Sequence, residues 1–195
     1  MKSQILKNQI ICFMFLAVFF SSFSAHAIFT ELGVNYAERT TYFDTSNSIK
    51  TKSTTASFSF YIWEKLGLEL SYTNGIMERY ESYTSNGILV NSTITQYQTI
   101  TGSDLILSFA DRRAFFQPYV KGGMAYIKKR QVVTDNYGSS AVELAPGTVP
   151  SLGAGFKFML TEAFGLKFSY DQWATPNQNL SIKDTAMRVG LTWVF

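Results

Sequence analysis

From Ile28 to Phe195 apolar and polar side chains alternate with a period of two, the spacing of a strand that shows different chemistry on its two faces. The last ten residues show it most plainly. Met187, Val189, Leu191, Trp193 and Phe195 fall on one face, and Ala186, Arg188, Gly190, Thr192 and Val194 on the other. Seven earlier stretches repeat the pattern. Leu32, Val34 and Tyr36 alternate with Glu31, Gly33 and Asn35, and Ala56, Phe58, Phe60 and Ile62 with Thr55, Ser57, Ser59 and Tyr61. Leu66, Leu68, Leu70 and Tyr72 oppose Gly67, Glu69, Ser71 and Thr73, while Leu105, Leu107 and Phe109 oppose Asp104, Ile106 and Ser108. Phe116, Pro118, Val120, Met124 and Tyr126 oppose Tyr119, Lys121, Gly123 and Ala125. Leu152, Ala154, Phe156, Phe158 and Leu160 oppose Gly153, Gly155, Lys157 and Met159, and Phe164, Leu166, Phe168 and Tyr170 oppose Gly165, Lys167, Ser169 and Asp171.

Very short connections at 63–65, 110–114 and 161–163 alternate with longer ones near 44–51, 74–95, 129–148 and 174–183. The second long connection carries a Ser85-Asn86-Gly87 turn signal and the third an Asp135 to Gly138 turn. Eight strands joined this way predict an all-β, eight-stranded antiparallel up-and-down barrel, with both ends of the mature chain on the short-turn side.

The amino terminus reads differently. Lys2 and Lys7 precede an apolar run from Ile10 to Phe20, followed by serines and Ala25-His26-Ala27. This order predicts a secretory signal peptide over residues 1–27, cleaved after Ala27, and a single domain over 28–195. The run is shorter than the roughly 20 residues of a membrane-crossing helix. Cleavage removes two of the 17 basic residues and none of the 14 acidic ones, leaving a formal charge of +1, so the basic whole chain carries no argument for nucleic acid. The only Cys and the only His leave with the leader. No disulfide, thiol nucleophile or imidazole ligand is expected, and neither metal nor cofactor is called for.

The two faces decide which side meets water. A soluble barrel turns its apolar face inward and its charges outward. Here the opposite face is Gly, Ser and Thr with occasional charges, a poor solvent surface but a suitable lumen for a barrel whose apolar face meets lipid. Aromatics agree. Phe109, Phe116, Phe164, Trp193 and Phe195 lie at short-turn ends of outward faces, and Tyr36, Tyr72, Tyr126 and Tyr170 toward the long-connection ends. Phe116 and Tyr126, ten residues apart, are separated by roughly 26 Å of height at about 3.4 Å per residue and about 40° of tilt, close to the apolar band of such barrels. The interval from Phe164 to Tyr170 is too short to fit as well.

Eight charges face inward: Glu31, Glu69, Asp104, Asp171, Lys121, Lys157, Lys167 and Arg188. Glu31, Glu69, Lys157 and Lys167 are expected in a lower layer. Asp104, Lys121, Asp171 and Arg188 are expected higher, with Asp104 beside Lys121 and Asp171 beside Arg188. Paired carboxylates can perform acid–base work. These have matching cations, which points to a structural ion-pair network filling the lumen.

Three features carry a family resemblance: the leader, the Pro118-Tyr-Val strand within Gln117 to Tyr126, and the terminal Trp193-Val-Phe195. Together they resemble the small outer-membrane barrels of the OmpA/OmpX type; Lys121 departs from the Pro-Tyr-Val-Gly-x-Gly pattern of that strand. The resemblance implies a non-enzymatic protein of the bacterial outer membrane, surrounded by lipid and lipopolysaccharide. It also implies a role in envelope integrity or surface contact, and a carboxy-terminal insertion signal, Trp193 and Phe195, read by the barrel-assembly machinery. The lumen enzymes of that membrane (lipid A deacylases, palmitoyltransferases and phospholipases) depend on a His that the mature chain lacks. No peptidoglycan-binding domain is expected after the last strand. The alternative is an OmpW-like barrel that transports small or hydrophobic solutes. An extracellular partner would meet the second and third long connections, through Tyr80, Tyr83, Ile88, Leu89 and Val90 or Lys128, Lys129, Arg130, Tyr137 and Val142. The same stretches also read as strand extensions above the membrane.

Overall fold

The computed structural model describes residues 29–42, 47–85, 88–136, 138–174 and 183–195. The expected leader lies outside these residues, as do Asn86, Gly87, Tyr137 and most of the last long connection. The side chains of Tyr83, Ile88 and Leu89 lie outside them too.

Eight strands form one closed antiparallel barrel in sequence order. They are β1 (Phe29–Tyr42), β2 (Ser48–Trp63), β3 (Leu66–Ser85), β4 (Ile88–Ser108), β5 (Phe116–Asp135), β6 (Gly138–Met159), β7 (Phe164–Ala174) and β8 (Lys183–Val194). The ring closes where β8 meets β1, from Glu31↔Val194 to Tyr36↔Val189. The amide of Phe195 donates to the Thr30 carbonyl at 2.9 Å, so the last residue is tied into that seam. All three short turns fall where the alternation breaks. Across one end, Lys65 pairs with Asp111 at 2.9 Å, and this hydrogen bond raises the lysine above its ordinary pKa.

Of the two readings of the second and third long connections, the structure has the strand extensions. Most of 74–95 and 129–148 is strand, because β3 and β4 remain paired to Ser85↔Ile88 and β5 and β6 to Asp135↔Gly138. Thr, Tyr, Val and Ile recur through these stretches, and such residues suit extended backbone even where the inside–outside contrast is lost. Gly138 closes the second hairpin with a φ of 155° and donates its amide to the Asp135 carboxylate at 3.0 Å. The β7–β8 hairpin is shorter. Among the described residues the first half of β6, 138–150, therefore pairs only with β5. Pro146 and Pro150 occupy this edge, where a missing amide donor costs no ladder bond to a second neighbour. Beside Pro146 the register slips: Ile127 faces Gly147 but Lys129 faces Leu144, a bulge opposite Lys128.

Two residues expected to meet an extracellular partner turn inward instead. Val90 is buried, and Lys129 turns to Asp184, its ammonium 2.6 Å from the carboxylate. Each stands on the inward phase of its strand, which the long hairpins preserve beyond the membrane-facing band.

Candidate functional site in the barrel lumen

Pleat parity sends alternate residues of every strand inward, and an eight-stranded barrel is narrow enough for side chains from opposite walls to meet. All eight inward charges are brought together. Glu31, Glu69, Asp104, Lys157, Lys167, Asp171 and Arg188 are buried, and the Lys121 side chain is 8% exposed.

At the short-turn end, Lys157 reaches Glu31 at 2.7 Å and Lys167 reaches Glu69 at 2.6 Å. Thr192 donates to the second oxygen of Glu31 at 2.6 Å, and the Tyr61 hydroxyl donates to the first at 3.2 Å. At mid-height the Lys121 ammonium sits between three carboxylates, 2.7 Å from Glu69, 2.9 Å from Asp171 and 3.7 Å from Asp104. Asp171 also receives Arg188 at 2.6 Å and the Ser169 hydroxyl at 3.0 Å, while Ser151 donates to Asp104.

The strand register alone would be unfavourable. Lys157 stands directly opposite Lys167, and Glu69 directly opposite Asp104. Like charges in facing positions repel. The repulsion is relieved from across the lumen, where Glu31 of β1 and Glu69 of β3 take one lysine each and Lys121 of β5 joins Glu69 to Asp104.

Two expected neighbours are placed differently. Asp104 faces Gly123 and Lys121 faces Ile106, so these two meet on the diagonal at the longest of the three Lys121 contacts. Arg188 faces Ser169 rather than Asp171 and reaches it diagonally. The lower and upper layers are also not separate, since Lys121 links Glu69 to Asp171.

The sequence reading missed what closes the network at each end. Below it, Phe29, Tyr61, Met159 and Val194 form a buried apolar cluster, with Phe29 and Tyr61 stacked at 4.3 Å. Above it, Ile100, Ala125, Ile127, Val149 and Trp173 form a second one. The Arg188 guanidinium lies over the Trp173 ring at 4.8 Å, joining charge to cap. The signal was present: these residues share the inward phase with the charges. Gly153 makes the space between them, since a Cβ there would come within 2.6 Å of an Asp171 oxygen and 2.8 Å of Lys121 Cε.

Outside, the aromatic positions face away from the lumen. Tyr36, Tyr72, Tyr126 and Tyr170 are exposed toward one end, and Phe109, Phe116, Trp193 and Phe195 toward the other, with Phe164 half-buried. Trp193 and Phe195 stack at 5.5 Å. Between these rows the exposed surface is Leu, Val, Phe and Met, among them Leu32, Val34, Leu70, Leu105, Val120 and Leu191. A closed barrel with a charged interior and an apolar exterior edged by aromatics is a transmembrane β-barrel of the outer-membrane type.

The chain belongs to the outer membrane protein beta-barrel domain family, which matches residues 13–195. Its place is accordingly the bacterial outer membrane. The fold is similar to that of the N-terminal β-barrel domain of Pseudomonas aeruginosa OprF, at 19% identity and a TM-score of 0.54, covering 85% of this chain and 97% of that one. It is likewise similar to Neisserial surface protein A, at 15% identity and a TM-score of 0.56, covering 86% of this chain and 97% of that one. No curated protein matches the chain.

Proposed function

We propose that the protein is a non-enzymatic outer-membrane barrel whose lumen is closed by its own charges, and that it acts in envelope integrity and surface contact. The observation that carries this is a pair of ion-pair runs, Lys157–Glu31 and Lys167–Glu69–Lys121–Asp171–Arg188, with every contact inside a run at 2.9 Å or less and the two runs joined by Lys167 and Glu31 at 4.0 Å. An acid–base site needs a carboxylate free to exchange a proton with substrate. Each of these carboxylates instead meets a cation, and apolar residues lie above and below the network. Such an interior serves as a plug, leaving recognition to the surface.

The surface available for it is the pair of long hairpins β3–β4 and β5–β6. Their ladders make them stiff ridges, suited to presenting Tyr80, Lys128, Arg130 and Val142, all exposed, to lipopolysaccharide or to an extracellular partner. Trp193 and Phe195, lipid-facing at the closing seam, fit a signal for the barrel-assembly machinery. The rival is an OmpW-like passage for small or hydrophobic solutes. Solute uptake by vesicles carrying the purified protein separates the two. The plugged barrel leaves uptake at the level of protein-free vesicles, and uptake that saturates with solute concentration would establish the transporter.

A further inference from the structure

We infer that Lys129 and Asp184 form a latch across the extracellular mouth of the barrel, holding the upper ends of β7 and β8 shut so that Trp173 stays seated over the lumen charges. The latch regulates the closed lumen proposed above and rests on that reading. It lies at the rim, and none of the eight lumen charges belongs to it.

The ladder is incomplete at this rim. β7 is paired with β6 only as far as Trp173↔Ser151, and β8 with β1 only as far as Val189↔Tyr36. From Lys183 to Arg188, β8 has β7 as its sole strand neighbour among the described residues. The tall hairpins beside it are continuous ladders to Ser85↔Ile88 and Asp135↔Gly138. A two-stranded ribbon with a free edge opens locally more easily than a strand paired on both sides.

This ribbon carries the upper closure of the lumen. Trp173 is buried in the apolar cluster with Ile100, Ala125, Ile127 and Val149, and it is the last β7 residue paired with β6. Arg188 packs on its ring and holds Asp171. Asp184 faces Trp173 in the β7–β8 ladder, so both project to the inner side. On β5, Lys129 is the next inward position after Ile127 of the same cluster. Its ammonium lies 2.6 Å from the Asp184 carboxylate. The pair therefore ties β8 to β5 at the outer border of the cluster, across two intervening strands.

Exposure sets this pair apart from the network deeper in the lumen. The Asp184 side chain is 37% exposed and that of Lys129 11%, whereas the side chains of the lumen pairs are at most 8% exposed. A partly solvated pair contributes less than breaking a buried one would cost, and it parts more readily. It biases the ribbon shut without locking it. When it parts, the ribbon frays from its outer end, Trp173 leaves the cluster, and the Arg188 guanidinium on its ring is uncovered to external water.

Acrylamide quenching of Trp173 fluorescence tests this in the folded barrel in detergent, with W63F/W193F removing the other two of its three tryptophans. With the latch intact, quenching should be weak. K129Q and D184N should each raise the quenching constant at least about two-fold, and the charge-swapped K129D/D184K should return it close to the starting value. K128Q, one residue away on the outer face, should leave it unchanged. Unchanged quenching in both K129Q and D184N would overturn the latch, as would a K129D/D184K barrel as open as the single variants, or an equal rise in K128Q. Heat-modifiable gel migration confirms that each variant is folded. Conductance separates the two readings: a barrel that passes steady current as wild type, yet unseats Trp173 in K129Q and D184N, keeps the latch and loses the plug.

Discussion

At the scale of single residues, Asp171 is the most consequential charge in the lumen, because it holds both Lys121 and Arg188. Removing Arg188 leaves Asp171 still paired with Lys121, and removing Asp171 leaves Lys121 still paired with Glu69. Arg188, however, then retains among the described residues only Thr73 at 3.5 Å and the Trp173 ring. Breaking a buried pair typically costs about 3–5 kcal/mol, less where water enters. Asp171→Ala should therefore destabilise by about 3 kcal/mol and Arg188→Ala by less. The double substitution should be less stable than wild type yet recover part of the Asp171→Ala loss. Urea unfolding of the three variants in detergent measures this coupling. Strict additivity would mean that the two side chains do not act as a pair. Gly153→Ala should cost about 1–3 kcal/mol by forcing Asp171 and Lys121 apart, read in the same unfolding series. The eight lumen charges were legible from strand parity alone. Their partners were not, because Glu31–Lys157 and Glu69–Lys167 form across the lumen, between strands that are not neighbours in the sheet. Their pairing depends on the barrel's shear and diameter, which alternation does not encode.

At the scale of elements, strand number and short turns followed from the alternation, while strand length did not. Beyond the lipid-facing band the outward positions need not be apolar, so Thr93, Thr95 and Thr134 carry no inside–outside contrast, although all three lie in the ladders. Pro146 and Pro150 were the available clue that β6 becomes an edge there. Because the lumen charges sit below these ridges, shortening β3–β4 by removing residues 80–93 should leave heat-modifiable migration intact while weakening the proposed surface contact, read as attachment of whole cells to a coated surface. A barrel that no longer folds after this deletion would place part of its stability in the ridge. The closing element behaves differently. Phe195 lies on the lipid face, touching Trp193 and, through its backbone, Thr30, so its loss should spare the interior. Deleting it should reduce folded protein in the outer membrane and increase periplasmic degradation, measured by fractionation and immunoblot. Normal folded levels would remove its role as an assembly signal.

At the scale of the whole molecule, a barrel must satisfy its lumen without help from lipid. This one does so with a charged layer between two apolar ones. The sequence reading reached the charged layer and the membrane class through the same contrast of faces. It passed over the caps because Phe29, Tyr61, Ile127 and Trp173 are apolar or aromatic residues on the otherwise polar phase, and only closure of the barrel shows them meeting. Planar-bilayer conductance of the purified wild-type barrel, compared with D171A/R188A, tests the closed lumen most directly. The wild type should carry no steady current, while the double variant flickers open as water replaces the missing pair. A steady wild-type current whose ion selectivity changes with Lys121→Gln, at unchanged stability, would contradict a charge-closed lumen.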